Sequence, residues 1–189
     1  MPLICKGFLR VLVTRLSHFF ESISVSVWYS ISLMIHLVAL ALWLGGMVFF
    51  LVVLGPAVHE LEPSIAIKTM NQGRIGLEMI SWTAIALLLV TGIVNLIIRT
   101  QATAAAPTGT YAVILGVKLF LFGAMAVHHG LQVFKYGPRI AALTAEFPPG
   151  TTAWPEALLS HWRRWFFLLK INAALGPIAV LLSLTLINT

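Results

Sequence analysis

The stretch "WYSISLMIHLVALALWLGGMVFFLVVL", residues 28–54, decides the fold class of this chain, because it contains no Lys, Arg, Asp or Glu. About 20 apolar residues of helix are enough to cross the roughly 30 Å hydrocarbon layer of a bilayer. A backbone exposed to lipid must satisfy its own hydrogen bonds, which a helix does within one segment. The stretch therefore predicts a membrane-spanning helix.

Three further apolar runs have the length of a span, at residues 77–99, 111–136 and 164–187. The chain is 59% hydrophobic and 10% charged, whereas soluble domains carry about 25% charged residues. These features predict an all-α integral membrane protein, with a four-helix transmembrane domain over residues 28–189. The connections are expected to be loops at 55–76, 100–110 and 137–163.

The formal net charge of +6 would suggest nucleic acid as a partner for a soluble protein. In this chain the basic residues lie between apolar spans, so we expect anionic lipid headgroups as their partners and no nucleic acid. Basic residues are slightly more numerous on the side opposite the amino terminus, which favours that side as the cytoplasmic one.

Residues 1–27 show a different pattern, in which apolar side chains recur every three or four positions. The apolar positions are Ile4, Phe8, Leu12, Leu16, Phe19 and Ile23, and Lys6, Arg10, Thr14, Ser17 and Glu21 fall between them on the opposite face. This spacing predicts an amphipathic helix that lies in the membrane interface. The alternative is a leader without a role of its own.

Cys5 is the only cysteine, so the chain can form neither an internal disulfide nor a cysteine-rich zinc site. A metal site would have to use His, Met, Asn or carboxylate ligands. The sequence has no nucleotide-binding loop, nucleophile elbow or HExxH motif, so it gives no support to classical hydrolase or ATPase chemistry. A protein without catalysis is favoured over a redox or porphyrin-oxidising enzyme.

The histidines fall at two depths when each helical residue is given a rise of about 1.5 Å. His36 lies roughly 12 Å, and Lys118 roughly 10 Å, from the membrane side of the amino terminus, here called side A. A second group lies towards the opposite side, side B, and consists of His59, His128, His129 and His161. His36 is either a ligand or proton carrier, or a neutral residue bonded to a neighbouring helix. Lys118 needs a partner such as a propionate, a carboxylate or a carbonyl oxygen, unless its ammonium extends to the interface.

His128 and His129 are adjacent, so their side chains point about 100° apart on a helix. We expect one to face the bundle, where it could bind metal, and the other to meet headgroups or loops. His59 and His161 are candidate additional ligands, with solvated loop positions as the alternative. Of the methionines, Met34 and Met47 flank His36 and Met125 precedes His128, although methionine also packs well in apolar cores.

Three segments together resemble the CopD-type copper-resistance membrane domain. They are "HLVALALWLGGMVFFLVVLGPAV" (36–58), "SWTAIALLLVTGIVNL" (81–96) and "YAVILGVKLFLFGAMAVHH" (111–129). More distantly, the pattern is similar to the HemJ-type protoporphyrinogen oxidases, which are small membrane proteins that bind b-type haem. An early-helix histidine and a third-helix lysine, here His36 and Lys118, carry that similarity.

The CopD resemblance implies an inner-membrane protein of bacteria that handles or transports copper. Copper would bind His128 or His129 together with His59 or His161, and would pass towards His36. The HemJ resemblance implies haem b, with His36 as an axial ligand and Lys118 holding a propionate. A third hypothesis is a structural subunit of a larger membrane complex. Expected partners are the bilayer, other membrane subunits or a periplasmic copper protein.

Overall fold

A computed structural model describes the backbone of residues 2–103, 108–146 and 152–185, and the side chains of residues 25–102, 108–146 and 152–185. Within these ranges the chain is helical and has no strand. The elements are α1 (Pro2–Phe49), a π-helical turn π1 (Phe50–Leu54), α2 (Gly55–His59), α3 (Pro63–Thr103), α4 (Gly109–Leu131), a second π-helical turn π2 (Gln132–Tyr136), α5 (Gly137–Glu146) and α6 (Glu156–Thr185).

Four helical stretches are long and apolar enough to cross a membrane, so the chain is a multi-pass membrane protein. They are Val25–His59, Pro63–Ala102, Gly109–Glu146 and Glu156–Thr185. Each contains the span predicted in its place, except that residues 186–187 lie outside the described part. The number and order of the predicted spans are therefore confirmed.

Two of the predicted loops are wrong, because most of their residues are helical. In the segment 55–76 only residues 60–62 separate α2 from α3, and α5 and the start of α6 occupy much of 137–163. The sequence "GP" at 55–56 looked like a helix breaker. In the structure, the Gly55 N–H donates to Phe50 O, five residues back, and the helix continues through Pro56. A π turn is wider than an α turn, which accommodates a proline ring that would otherwise clash with a carbonyl in the preceding turn.

The helical extensions on side B pack against one another around an apolar core. Its buried side chains include Val58, Ile67, Met70, Ile140 and Leu158. This core continues into the spans, where Trp43, Met47 and Met125 are buried. In the described part of the chain, packed helices make up most of side B.

The predicted interfacial helix at 1–27 has no boundary at its end, since α1 runs unbroken from Pro2 to Phe49. The side chains that would make it amphipathic, at positions 4–23, lie outside the described side chains. Its amphipathic character stays a prediction.

The chain folds as two helical hairpins with matching features. α1 packs along α3, and α4 packs along α6. Each hairpin's first helix ends in a π turn followed by Gly-Pro, at Gly55 and at Gly137. His36 and Lys118 each stand nineteen residues before that glycine, so they are equivalent positions of the two hairpins.

Small residues permit close contact between helices at two positions of the first hairpin. A Cβ at Gly46 would meet Leu77 at 3.1 Å and one at Gly92 would meet His36 at 3.6 Å, whereas Gly45 has nothing within 4 Å. Gly176 in α6 is tighter, because a Cβ there would collide with Leu44 of α1.

Replacing Gly176 by alanine is expected to destabilise the bundle by about 1–3 kcal/mol, since Leu44 must leave its rotamer or the helices must separate. Gly45→Ala is the matched control and should be neutral or slightly stabilising, because its new methyl group meets open space and alanine favours helix. Unfolding in mixed micelles measures both variants. Equal stability of the two would contradict this packing.

Candidate functional site

His36 in α1 is held by a hydrogen-bond chain from α3. Its Nδ1 lies 2.7 Å from Thr91 Oγ1, and the Thr91 hydroxyl donates to the Leu87 carbonyl oxygen one turn earlier. A carbonyl can only accept, so the Thr91 proton points to Leu87. The Thr91 oxygen must then accept from His36, which places the imidazole proton on Nδ1 and leaves the Nε2 lone pair free.

Lys118 in α4 lies close enough to His36 to interact with it electrostatically. The structure thus brings together the two residues that the depth estimate placed at one level. The Lys118 side chain is half-buried, and no salt bridge involves it among the described residues. The site combines an imidazole with a lysine side chain inside an apolar span.

His128 is oriented by an equivalent chain from α6. Its Nδ1 lies 3.1 Å from Asn172 Oδ1, and Asn172 Nδ2 donates to the Met125 carbonyl oxygen over 3.1 Å. The Met125 carbonyl fixes which end of the amide is nitrogen, so Oδ1 faces His128 as an acceptor. The His128 proton is therefore also on Nδ1, and its Nε2 lone pair is also free.

His129 points in another direction and is 4% exposed. Its ring makes an edge contact with Trp82 of α3, with 5.3 Å between centroids. The Gln132 side chain and the Glu78 backbone lie beside the ring, yet Nε2 has no hydrogen-bond partner among the described residues. Both adjacent histidines contact neighbouring helices, His128 through Asn172 and His129 through Trp82. That one of them also meets headgroups or loops stays a prediction.

His129 belongs to a group of buried side chains that carry polar atoms, here called the side B cluster. It consists of Arg74, Glu78, His129, Gln132 and Trp165. Arg74 Nη1 donates to both Glu78 carboxylate oxygens at 2.7 Å, and Arg74 Nη2 donates to Asn71 Oδ1 at 2.9 Å. Gln132 Nε2 donates to the Trp165 carbonyl oxygen at 3.0 Å, which connects π2 to α6. The Trp165 indole N–H is buried and has no hydrogen-bond partner among the described residues.

Gly137 closes this cluster from the side of α5. A Cβ there would lie 2.8 Å from Arg74 Nη1 and 3.4 Å from Glu78 Oε1. The backbone at the junction of π2 and α5 thus rests directly on the buried ion pair, and only glycine leaves the space for it.

The remaining predicted ligands stand apart from this arrangement. His59 is exposed at the end of α2, and His161 is half-buried near the start of α6. Among the described side chains, no three from His, Cys, Asp and Glu lie together as a possible metal group. The proposed completion of a copper site by His59 or His161 finds no support in this geometry. Met34 is exposed, whereas Met47 and Met125 are buried in the core.

Sequence reasoning missed the residues that orient the imidazoles and the ion pair beside them. Thr91 and Asn172 lie inside predicted spans, and only the fold shows that their partners are His36 and His128. Arg74 and Glu78 were placed in, or next to, a loop. Their signal was available, since opposite charges four residues apart at the start of an apolar run lie on one helical face.

Comparisons with known proteins identify no relative of this chain. No protein-family model matches it. Neither the curated proteins nor the solved structures contain a match.

Proposed function

We propose that this protein handles copper in a membrane, binding Cu(I) at intramembrane imidazoles and passing it between the two depths. The observation that carries the proposal is the pair of hydrogen-bond chains that fix His36 and His128 with free Nε2 lone pairs. Metal-binding imidazoles characteristically donate their other N–H to an oxygen atom, which fixes the tautomer and raises ligand basicity.

The donors near side B suit a soft ion. His128 and His129 follow Met125 by about one helical turn. The Met125 side chain is buried in the same apolar core as that of Met47. Thioether and imidazole ligands together favour Cu(I) over harder cations. The unpartnered His129 Nε2 supplies a further donor in this region.

Lys118 makes side B the preferred copper position. An ammonium beside His36 repels a bound cation, and the repulsion is stronger in an apolar span than in water. Copper would thus reside mainly near His128 and His129, with His36 as the second and weaker station.

The same lysine favours a second candidate, a b-type haem protein. The free Nε2 lone pair of His36 would bind the haem iron, and Lys118 would supply the positive charge that a propionate needs. His36 and Lys118 therefore have the chemistry that haem b needs for its iron and for one propionate. Haem would supply one-electron redox chemistry when bound. The chain's own contribution would be to orient the imidazole through Thr91 and to neutralise the propionate through Lys118.

The surroundings proposed for this function are a bacterial inner membrane with anionic lipids. Exposed basic side chains of the second hairpin lie at the side B ends of its helices, namely Lys135, Arg139, Arg163 and Arg164. Near a membrane surface each contributes about 1 kcal/mol of attraction to anionic headgroups. A periplasmic copper protein or other membrane subunits would deliver or receive the ion.

Titration of the purified protein in nanodiscs with Cu(I), in competition with a coloured chelator, tests the copper proposal. Stoichiometric binding that survives Lys118→Ala is expected. Absence of any competition with the chelator would overturn it. Such a result, together with the absence of haem and a fixed stoichiometric association with other subunits, would leave the structural-subunit hypothesis.

Asn172→Leu is expected to weaken Cu(I) binding by about 10–100-fold, because His128 loses the acceptor that orients it. Asn172→Asp is the informative companion, since a carboxylate can still accept from Nδ1 and should retain more affinity than leucine. The same chelator competition measures both variants. Equal affinities of wild type and Asn172→Leu would show that the Asn172 contact is only structural.

A further inference from the structure

We infer that ordered water binds at a buried polar site near side B, held by Ser81 of α3, His129 of α4 and Gln132 of π2. The ligand is a small neutral molecule that donates and accepts hydrogen bonds at the same time. This site would be filled in the metal-free protein, so it goes beyond the copper binding proposed above.

Three side chains in this region bury a polar atom that has no hydrogen-bond partner among the described residues. The atoms are Ser81 Oγ, His129 Nε2 and Gln132 Oε1, and the residues are 1%, 4% and 1% exposed. Buried polar atoms in proteins are nearly always paired with other protein atoms or with ordered water. A buried water typically makes about three hydrogen bonds to such atoms. The three unpartnered atoms therefore match the needs of one internal water molecule.

The fold brings these side chains to one place between α3 and the end of α4. The Gln132 side chain and the Glu78 backbone lie beside the His129 ring. The same ring meets Trp82 edge-on, with 5.3 Å between centroids. Glu78, Ser81 and Trp82 are three and four residues apart, so they share one face of α3. Ser81 thus belongs to the face of α3 that lies against His129.

The hydrogen-bonding capacity left at these atoms suits water. Gln132 Nε2 donates to the Trp165 carbonyl oxygen over 3.0 Å, so the free end of the amide is Oε1, which can only accept. Thr83 and Thr91 of α3 donate to the carbonyl four residues earlier, whereas the Ser81 hydroxyl makes no such bond. One water molecule can donate to Gln132 Oε1 while it bonds to the Ser81 hydroxyl.

A neutral ligand is favoured because the charges of the side B cluster are already balanced. Arg74 Nη1 donates to both Glu78 carboxylate oxygens at 2.7 Å, so the metal-free cluster has no net charge to hold a free ion. Gln132 also begins π2. A π turn is wider than an α turn, and an inserted water is a known cause of such breaks in the α-helical ladder.

A crystal structure of the full chain, freed of metal by a chelator and at a resolution that shows ordered water, tests the site directly. A density peak is expected at hydrogen-bonding distance, roughly 2.7–3.2 Å, from at least two of Ser81 Oγ, His129 Nε2 and Gln132 Oε1. The peak should give no anomalous signal at the copper absorption edge. Lack of a peak, a direct bond between the His129 and Gln132 side chains, or an anomalous copper signal would overturn the inference.

The variants Ser81→Ala and Gln132→Met test the same water in mixed micelles, because neither polar atom has a direct partner. Each change should raise the equilibrium constant of unfolding. Their combined effect should be about fivefold smaller than the product of the single effects, since either change alone already disturbs the shared water.

Ser183→Ala combined with Gln132→Met is the matched control. The Ser183 hydroxyl donates to the Ala179 carbonyl oxygen of its own helix, so the two effects should simply multiply. Multiplicative effects in both pairs, or the same departure in both, would overturn the inference. Neither measurement uses copper, so a failure of copper binding leaves both results interpretable.

Discussion

Glu78→Leu is expected to lower the free energy of unfolding by about 3–5 kcal/mol, because it leaves the Arg74 guanidinium buried without its counter-charge. Arg74 is 3% exposed and directs Nη1 at both carboxylate oxygens. Asn71 still accepts from Arg74 in the variant, but a neutral amide does not compensate a full charge. Equilibrium unfolding in mixed micelles measures the loss.

The double variant Arg74→Met/Glu78→Leu should recover most of the stability, since well-packed apolar groups replace a buried ion pair at little cost. The Arg163–Glu156 pair is the matched control. Its atoms are 3.6 Å apart and its side chains are 72% and 78% exposed, so neutralising Glu156 should cost about 0–1 kcal/mol. A double variant as unstable as Glu78→Leu would contradict the assignment of the loss to unpaired charge.

Removal of both adjacent imidazoles, in His128→Ala/His129→Ala, is expected to abolish Cu(I) binding near side B. His36 and the thioethers remain in this variant, but Lys118 opposes a cation at His36. His59→Ala/His161→Ala is the control with the same number of imidazoles removed, and its affinity should match wild type. If Cu(I) binding were lost only in His59→Ala/His161→Ala and kept in His128→Ala/His129→Ala, the copper site would lie at the side B surface.

The sequence predicted the four spans because their signal is strong and local. A run such as 28–54 has no charged residue, and lipid leaves it no alternative to a helix. The sequence-based predictions were wrong at the ends of two spans, because Gly55-Pro56 and Gly137-Pro138 looked like the starts of loops. Whether a proline ends a helix or sits after a π turn depends on the packing of the neighbouring helices, which a local pattern does not contain.

The sequence was enough to estimate how deep each polar residue lies in the membrane, but it did not show which neighbouring helix each side chain faces. A constant rise per residue was enough to place His36 and Lys118 at one level. The partners of His128 and His129 depend on which helix stands on each side of α4. Only the fold shows that Asn172 and Trp82 occupy those positions, and that Gly137 rests on Arg74.

The visible absorption spectrum of the gently purified protein, oxidised and reduced, with copper analysis on the same sample, separates copper binding from haem binding. We expect a colourless protein that contains copper and loses it in His128→Ala/His129→Ala. A Soret band with sharp α and β bands on reduction, dependent on His36, would contradict the copper assignment and establish haem as the ligand of the His36–Lys118 site.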